Sequence, residues 1–395
     1  MNQKTVCWNA IVKNESAIIE RCMQAMVGHI DYWVVVDTGS TDGTQDIITN
    51  FMSQHGIPGE LIERPWKNFS HNRSEALEFA ENKADYILLC DADMMLNATN
   101  PDWKNFLGDA KAYAVMQRTP HLTYSNIRLI NGRLTGDDRY RYWGATHEYC
   151  DSIEPSQYNA PLFNEIEMLD LGDGGSKADK FERDACLLTE QLQELEELAN
   201  ASEAEKALAW QNGILRHKDT LVPRCTFYLA QTWRDLDRNE LAIEYYQKRA
   251  ALPGWVEETW YSLYQVALLK ERIQAPFDEV VAAYLHAYEY RPQRAESLYN
   301  LARYLRENNR FALAYAYALT AVSIKETSDR LFVHQDVYDY KAKDELAVSA
   351  YWVGQYQLSK DICAEILNDA RLVLPEHTRQ RIANNQQAAQ SKLNA

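Results

Sequence analysis

Tyr86-Ile87-Leu88-Leu89-Cys90-Asp91-Ala92-Asp93 decides the fold. An unbroken apolar run of strand length, stopped by two carboxylates one residue apart, predicts a strand buried on both faces that ends at the rim of a parallel sheet. Ligands of open α/β sheets gather at that rim. Ala92 is small enough for the chain to turn there, so Asp91 and Asp93 are placed to share one hard divalent cation and the phosphate it carries. The pair is read as a metal-diphosphate site.

Upstream, strand and helix alternate. Val6-Cys7-Trp8-Asn9-Ala10-Ile11-Val12 predicts a first strand, and Lys13-Asn14-Glu15-Ser16 leaves it for a helix that Ser16 is placed to cap, with apolar Ile18, Ile19, Cys22, Met23 and Met26 on one face. Tyr32-Trp33-Val34-Val35-Val36 predicts a second buried strand, ending in Asp37-Thr38-Gly39-Ser40-Thr41-Asp42-Gly43-Thr44 before the helix Gln45 to Gln54. A carboxylate at a strand tip beside a Gly-permitted turn reaches a nucleoside's polar edge, while turn amides and a helix N-terminus suit phosphate. The competing reading is a plain βα loop whose Asp and Thr cap the helix. A third strand at Glu60-Leu61-Ile62-Glu63 precedes a helix over Ser74 to Asn82, which puts Arg73 in its first turn. A cation is disfavoured at that end of the helix dipole, so Arg73 is expected to serve an anion. The alternation predicts a doubly wound, mostly parallel sheet.

Taken in order and spacing, Val12-Lys13-Asn14-Glu15, the Asp37 to Thr44 turn, Asn72-Arg73-Ser74 and Asp91-Ala92-Asp93 resemble the family 2 glycosyltransferases of the GT-A fold, over roughly the first 175 residues. The resemblance implies that Asp37 contacts a nucleotide base, that Arg73 contacts base or phosphate, and that the DxD holds Mn²⁺ or Mg²⁺ on the diphosphate of a nucleotide sugar. Expected donor contacts are Val12, Asn14, Glu15, Asp37, Gly39, Arg73, Asp91, Ala92, Lys177 and Lys180. A second DxD, Asp235-Leu236-Asp237, is explained by a helical turn.

From Ala112 to Leu169 the chain is expected to complete the sheet and build the acceptor side. Ala112 to Gln117 and Ser125 to Ile130 read as strands, and Tyr140 to Glu148 as an aromatic loop. Relatives often carry a His-Glu pair here. Glu148 is therefore the candidate base that takes the acceptor's proton, with Asp137 and Asp138 as alternatives, and His147 is a candidate third metal ligand. Each has a plain structural alternative as a salt-bridged or loop residue. The Asp170 to Lys177 segment, with three Gly in four positions and Lys177, Lys180 and Arg183 following, departs from the His or Tyr that relatives place near this point. It reads either as a cationic segment folding over the diphosphate or as a linker.

Beyond it, Phe181 to Leu198 and Ala201 to Leu215 read as helices. Small residues then recur twelve apart, at Ala230 and Ala242, Ala302 and Ala314, and Ala347 and Ser359, while Ala267 marks an intermediate unit. The units start about 37, 35 and 45 residues apart, and this resembles the tetratricopeptide pattern in which small residues let paired helices approach closely. Leu331 to Tyr338 is an insertion, and Arg379 to Ala395 a frayed or capping helix. Such an array presents a surface to a peptide or protein, and it offers a route to oligomers. Tyr228, Tyr245, Tyr246, Tyr261, Tyr264, Tyr299 and Tyr304 serve either packing or a carbohydrate chain.

The expected architecture is thus α/β plus all-α: a GT-A domain over 1–175, a helical linker over 176–222 and repeats over 223–395. Totals of 41 Lys+Arg against 57 Asp+Glu, a formal net charge of −16, argue against wrapping of nucleic acid. Seven scattered Cys without CxxC spacing suggest neither a disulfide framework nor a zinc site. No signal peptide or apolar run of spanning length is evident, so a cytoplasmic protein is expected. The function expected is an inverting, metal-dependent transfer of a sugar from a nucleotide diphosphate sugar, UDP-linked, to a hydroxyl or thiol on a peptide, protein or glycan. Two rivals are a non-catalytic nucleotide-sugar-binding adaptor and a nucleotidyltransferase. The latter wants a Gly-rich basic loop where Lys13-Asn14-Glu15-Ser16 stands.

Overall fold

The computed structural model describes residues 3–119, 122–153, 159–174, 179–211 and 221–395. The chain divides into two compact units, Met1–Tyr228 and Leu229–Ala395. In the first, β1 (Val6–Val12), α1 (Ile19–Gln24), β2 (Tyr32–Asp37), α2 (Thr44–Gln54), β3 (Gly59–Glu63), α3 (Phe69–Ala80) and β4 (Tyr86–Leu89) alternate as expected. There follow β5 (Met94–Ala98), β6 (Ala112–Arg118), β7 (Thr123–Asn131), β8 (Tyr140–Trp143), β9 (Tyr149–Ser152), β10 (Leu162–Asp170), α4 (Lys180–Ala199) and α5 (Glu203–Gln211).

Eight strands form one sheet in the order β3-β2-β1-β4-β7-β6-β10-β5. The pairings make β1, β2, β3, β4, β6 and β10 parallel to one another, with β5 and β7 running against them. Both faces are covered. Val6, Trp8, Ala10 and Leu88 enter one apolar core and Cys7, Val34, Ile87 and Leu89 the other, as alternation along a doubly buried strand requires. Asn9 is the polar exception in β1, and its Nδ2 is satisfied by donating to Val34 O and Ala76 O at 3.1 and 2.8 Å. That ties α3 to the sheet. The six parallel strands all deliver their C-terminal ends to one rim.

Several local expectations are corrected. Helix α3 begins at Phe69, because the side chain of Asn68 accepts the backbone N–H of His71 at 2.8 Å and caps the helix there. Arg73 therefore lies in the second turn, and the dipole argument for it falls. Ser16 does not cap α1; its backbone N–H donates to Asp42 Oδ2 at 3.0 Å, and the helix starts only at Ile19. The Tyr140 to Glu148 stretch is not simply a loop, since β8 and β9 pair antiparallel as a hairpin. Apolar runs interrupted by Asn and Glu hid the antiparallel edge strand β5 and its partner β10.

The second unit is a succession of antiparallel helix pairs. Helix α6 (Leu221–Asp235) leads into it, followed by α7 (Asn239–Ala251), α8 (Val256–Arg272), α9 (Phe277–Tyr290), α10 (Glu296–Glu307), α11 (Phe311–Ser323), α12 (Ala342–Trp352), α13 (Tyr356–Asn368) and α14 (Glu376–Leu393). Ala230, Ala242, Ala267, Ala302, Ala314, Ala347 and Ser359 are all buried, as close helix approach demands. The insertion before α12 is pinned by the buried Arg294, which lies 3.7 Å over the Trp260 ring, pairs with Glu296 and Asp329, and donates to the carbonyls of Leu331 and Phe332. Tyr246, Tyr261 and Tyr264 are core residues, and the other four tyrosines named above are half-buried. Ile382 and Ala389 of α14 are buried, so the last helix caps the array.

Ala302→Leu forces extra volume into this close approach and is expected to destabilise the helical unit by about 1–3 kcal/mol. Denaturant unfolding followed by circular dichroism measures it; an unchanged midpoint would show that the helices have room to spare.

Candidate active site at the sheet rim

The turn after β4 is held from behind. The indole N–H of Trp8 donates to Cys90 O at 2.8 Å, and Cys22 Sγ donates to Asp91 O at 3.3 Å. Asp91 and Asp93 are thereby fixed on the wall of a cavity of about 550 Å³. The same wall takes Val12, Lys13, Asn14 and Glu15 from the end of β1, Thr38 from β2, Trp66, Phe69 and Arg73 from the entry to α3, Asp170, Gly172 and Gly174 from the end of β10, and Lys180 and Arg183 from α4.

Two loops at the rim are laced together. Asn14, at φ +57°, accepts the Thr41 N–H on its side-chain oxygen, and its own N–H donates to Ser40 Oγ, each at 2.8 Å. Asp37 Oδ1 accepts the N–H groups of Gly39 and Ser40, both at 2.8 Å, with Gly39 at a φ of +104° that a side chain would strain. Asp37 Oδ2 is buried and has no hydrogen-bond partner. An unsatisfied buried carboxylate oxygen is costly, and an N–H donor from a ligand would relieve it. Trp66 is held in place by Asn72, whose fully buried side chain donates to Pro65 O at 3.0 Å and accepts the Lys67 N–H at 2.9 Å.

Charge dominates the far wall. Arg73 pairs with Asp91 Oδ1 at 2.5 Å and with Glu148 Oε1 at 2.7 Å, and its guanidinium lies 5.6 Å over the Tyr142 ring. Arg128 approaches Asp91 Oδ2 at 3.7 Å. Burial alone would raise the Asp91 carboxyl, but the two guanidinium groups win and hold it below the usual carboxylate range. The opposite holds one residue on. Burial, reinforced by the charges of Asp91 and Asp170, pushes the Asp93 carboxyl up. Like charges crowded on one wall are relieved by a divalent cation, and an all-oxygen donor set suits Mg²⁺ or Mn²⁺. Asp93 and Asp170 offer such oxygens, while both oxygens of Asp91 already face an arginine.

Not every expected residue joins. Glu148, read as the base, does not line the cavity and instead pairs with Arg73, which does. Asp138 sits on an exposed turn, paired with Lys111 at 2.5 Å, and is likewise no part of the wall. His147 adopts φ +50° and stacks on Tyr228, with ring centroids 4.1 Å apart. It does not line the cavity, and among the described residues no three His, Cys, Asp or Glu side chains form a ready metal-ligand group. Lys177 lies outside the described residues; Lys180 is on the wall. Asp170, Arg128 and Gln117 were missed. Asp170 carries the one legible signal, an acidic residue closing an apolar strand.

The helical unit holds a larger groove of about 790 Å³, among α7, α8 and α9. Its wall is mainly Ala, Leu and Val, and its Lys270 and Glu279 are paired with each other at 2.6 Å, so it lacks the convergent charges of the rim.

The parallel-sheet rim thus joins a set of cations and an acidic cluster around one cavity. Residues 10–117 match the model of glycosyl transferase family 2, so the α/β unit carries a family 2 glycosyltransferase domain of the GT-A type, followed by tetratricopeptide-like repeats. Over 261 residues the chain is 28% identical to the prophage-derived glycosyltransferase SunS of Bacillus subtilis, covering 62% of this chain and 53% of SunS. The chain thus spans about half the length of that relative. A stretch of 94 residues is 33% identical to a TPR repeat-containing protein of Synechococcus elongatus, 24% of this chain and 21% of that protein. Among solved structures, the TPR-like repeats of a Podosopora anserina kinesin light chain align at 17% identity and a TM-score of 0.32, over 43% of this chain and 91% of that one.

Glu148→Gln removes the counter-charge of a buried arginine and is expected to cost about 1–3 kcal/mol of stability, with turnover reduced but measurable. Parallel unfolding and rate measurements decide it. Complete loss of turnover with unchanged stability would restore Glu148 as the base.

Proposed function

We propose that this chain transfers a sugar, with inversion, from a nucleoside diphosphate sugar to a hydroxyl or thiol of a peptide, protein or glycan acceptor bound by the repeat array. The observation that carries the reading is one cavity onto which separate strand ends deliver Val12 to Glu15, Asp91, Asp93 and Asp170, and α3 delivers Arg73. UDP is the favoured nucleotide because the Oδ2 of Asp37, buried off the cavity wall and without a partner, is the kind of acceptor that an N–H donor such as the imide of uracil would satisfy.

In this reading Asp93 and Asp170, with Asp91, hold Mn²⁺ or Mg²⁺, which when bound neutralises charge on the departing nucleoside diphosphate. The chain's own residues do the rest. Asn14 and Thr38 give the cavity its polar edge on the side of the Asp37 to Thr44 turn, where the nucleoside would sit. Lys13, Lys180 and Arg183 offer cations to the phosphates, and Arg73 orients Asp91. Trp66 and Phe69, edge to face at 4.8 Å, give the cavity an apolar wall for a ring to lie against. Inversion follows from a single displacement by the acceptor, which needs no covalent sugar intermediate on the enzyme. Among the described residues no helix is long and apolar enough to cross a membrane.

Incubation of the full chain with a panel of nucleotide sugars, Mn²⁺ and cell extract as acceptor is expected to release the nucleoside diphosphate from a UDP-sugar. Asp93→Ala should lower that rate on the order of 100-fold or more with the fold intact. Donor binding without turnover on any member of the panel would favour the adaptor. Asp37→Asn is expected to weaken donor binding about 10- to 100-fold, since the lost charge-assisted bond is worth roughly 1.5–3 kcal/mol. Equal affinity for UDP in titration calorimetry would remove Asp37 from the base-binding role.

A further inference from the structure

Arg128 enters the acidic cluster by way of a defect in the sheet. Along β6 and β7, Tyr113 pairs with Leu129 and Ala114 with Ile127, so residue 128 is one too many on its strand. Such a bulge unpairs the extra residue and re-aims its side chain. Here it turns a guanidinium inward until only 9% of the side chain is exposed. Burying an arginine this far is costly unless each face of its fork is used.

Both faces are used, and on different partners. Nη1 stands 3.7 Å from Asp91 Oδ2, while Nε and Nη2 donate to Gln117 Oε1 at 3.2 and 2.6 Å. Gln117 is itself buried, and its Nε2 donates to Asp170 Oδ2 at 2.7 Å. An amide whose oxygen faces a guanidinium and whose nitrogen faces a carboxylate has only one satisfactory orientation. Arg128 and Gln117 are both absent from the cavity wall, so neither is placed to touch a ligand. What they touch are the two carboxylates, Asp91 and Asp170, whose charges both act on Asp93.

We propose that Arg128 is a positioning residue, which fixes Asp91 directly and Asp170 through Gln117, the two carboxylates that stand beside Asp93 at the proposed cation site. The inference rests on the cation-binding reading above. It also gives the bulge a purpose, since a regular β7 would send residue 128 elsewhere and leave Asp91 Oδ2 without its cation. Partners standing behind a ligand set are generally worth about 10-fold or more in metal affinity. A role confined to holding the hairpin would lower thermal stability and leave the affinity alone.

The test uses the full chain and Mn²⁺ alone, with binding followed by calorimetry and by the paramagnetic resonance of free Mn²⁺. Wild type is compared with Asp93→Ala, Gln117→Leu, Arg128→Lys and the Gln117→Leu/Arg128→Lys double variant, and each thermal midpoint is recorded. Asp93→Ala is expected to abolish binding, and each single positioning variant to raise the dissociation constant about 10-fold. The double variant should add little to the worse single one, because both cut one chain. Excess Mn²⁺ should then restore turnover to the two single variants.

Wild-type affinity in Gln117→Leu and Arg128→Lys, beside lost binding in Asp93→Ala, would overturn the positioning role and leave the cation site standing. Effects that multiply fully in the double variant would overturn the link through Gln117. No Mn²⁺ binding by the wild type would remove the cation reading and this inference together. Should Arg128→Lys fail to fold, the uncharged change at Gln117 decides the matter alone.

Discussion

Mutual repulsion among carboxylates at the end of a sheet is the constraint from which the rest of the first unit follows. Two like charges 4 Å apart cost about 4 kcal/mol at the effective dielectric of a protein surface, and more where water is excluded. Asp91, Asp93 and Asp170 occupy one wall, and the fold answers with Arg73 on that cavity and Arg128 off it. Arg73 meets one oxygen of Asp91 and Arg128 approaches the other, while Glu148 balances Arg73 from behind. The consequence is an asymmetric cluster: Asp91 stays ionised and oriented, and Asp93 carries the strain.

The scaffold makes that arrangement possible by gathering strand ends. Six strands run in one direction, so residues distant in the chain arrive at one rim without any of them leaving the sheet. The buried polar residues are placed where they fix the rim. Asn9 ties α3 to β1, Asn72 fixes the segment carrying Trp66, and Trp8 clamps the carbonyl of Cys90. Each satisfies its own hydrogen-bonding demand by immobilising backbone next to the cavity. The helical unit follows a different rule, in which small side chains set the spacing of neighbouring helices. Its one polar core, around Arg294, serves to hold the insertion that interrupts the repeat.

Legibility of the site varied with the kind of signal each residue left. Asp91, Asp93, Asn14, Glu15 and Asp37 follow apolar strands directly, so the change from apolar run to polar turn marked them. Lys180 announced itself by following a glycine cluster. Arg73 pairs with the chain's own Asp91 and Glu148, and the dipole argument for it failed because the cap at Asn68 lay earlier than hydrophobic spacing suggested. Glu148 and His147 were chosen by resemblance and by residue type. Their hairpin turns one toward Arg73 and the other onto Tyr228. Arg128 and Gln117 read as ordinary alternating strand residues, since a bulge leaves no mark in a single sequence.

By itself the sequence determined the α/β alternation, the position of the rim, the acidic pair on it and the spacing of the helical repeats. All of these depend on periodicity and on residues close in the chain, where side-chain chemistry and backbone preference act directly. Tertiary structure alone decided which charges meet: that Arg73 and Arg128 flank Asp91, that Asp170 joins from the last strand, and that Glu148 and Asp138 stand off the wall. Ion pairing depends on distances of a few ångströms between segments dozens of residues apart, and register, bulges and strand order set those distances only once the sheet is assembled.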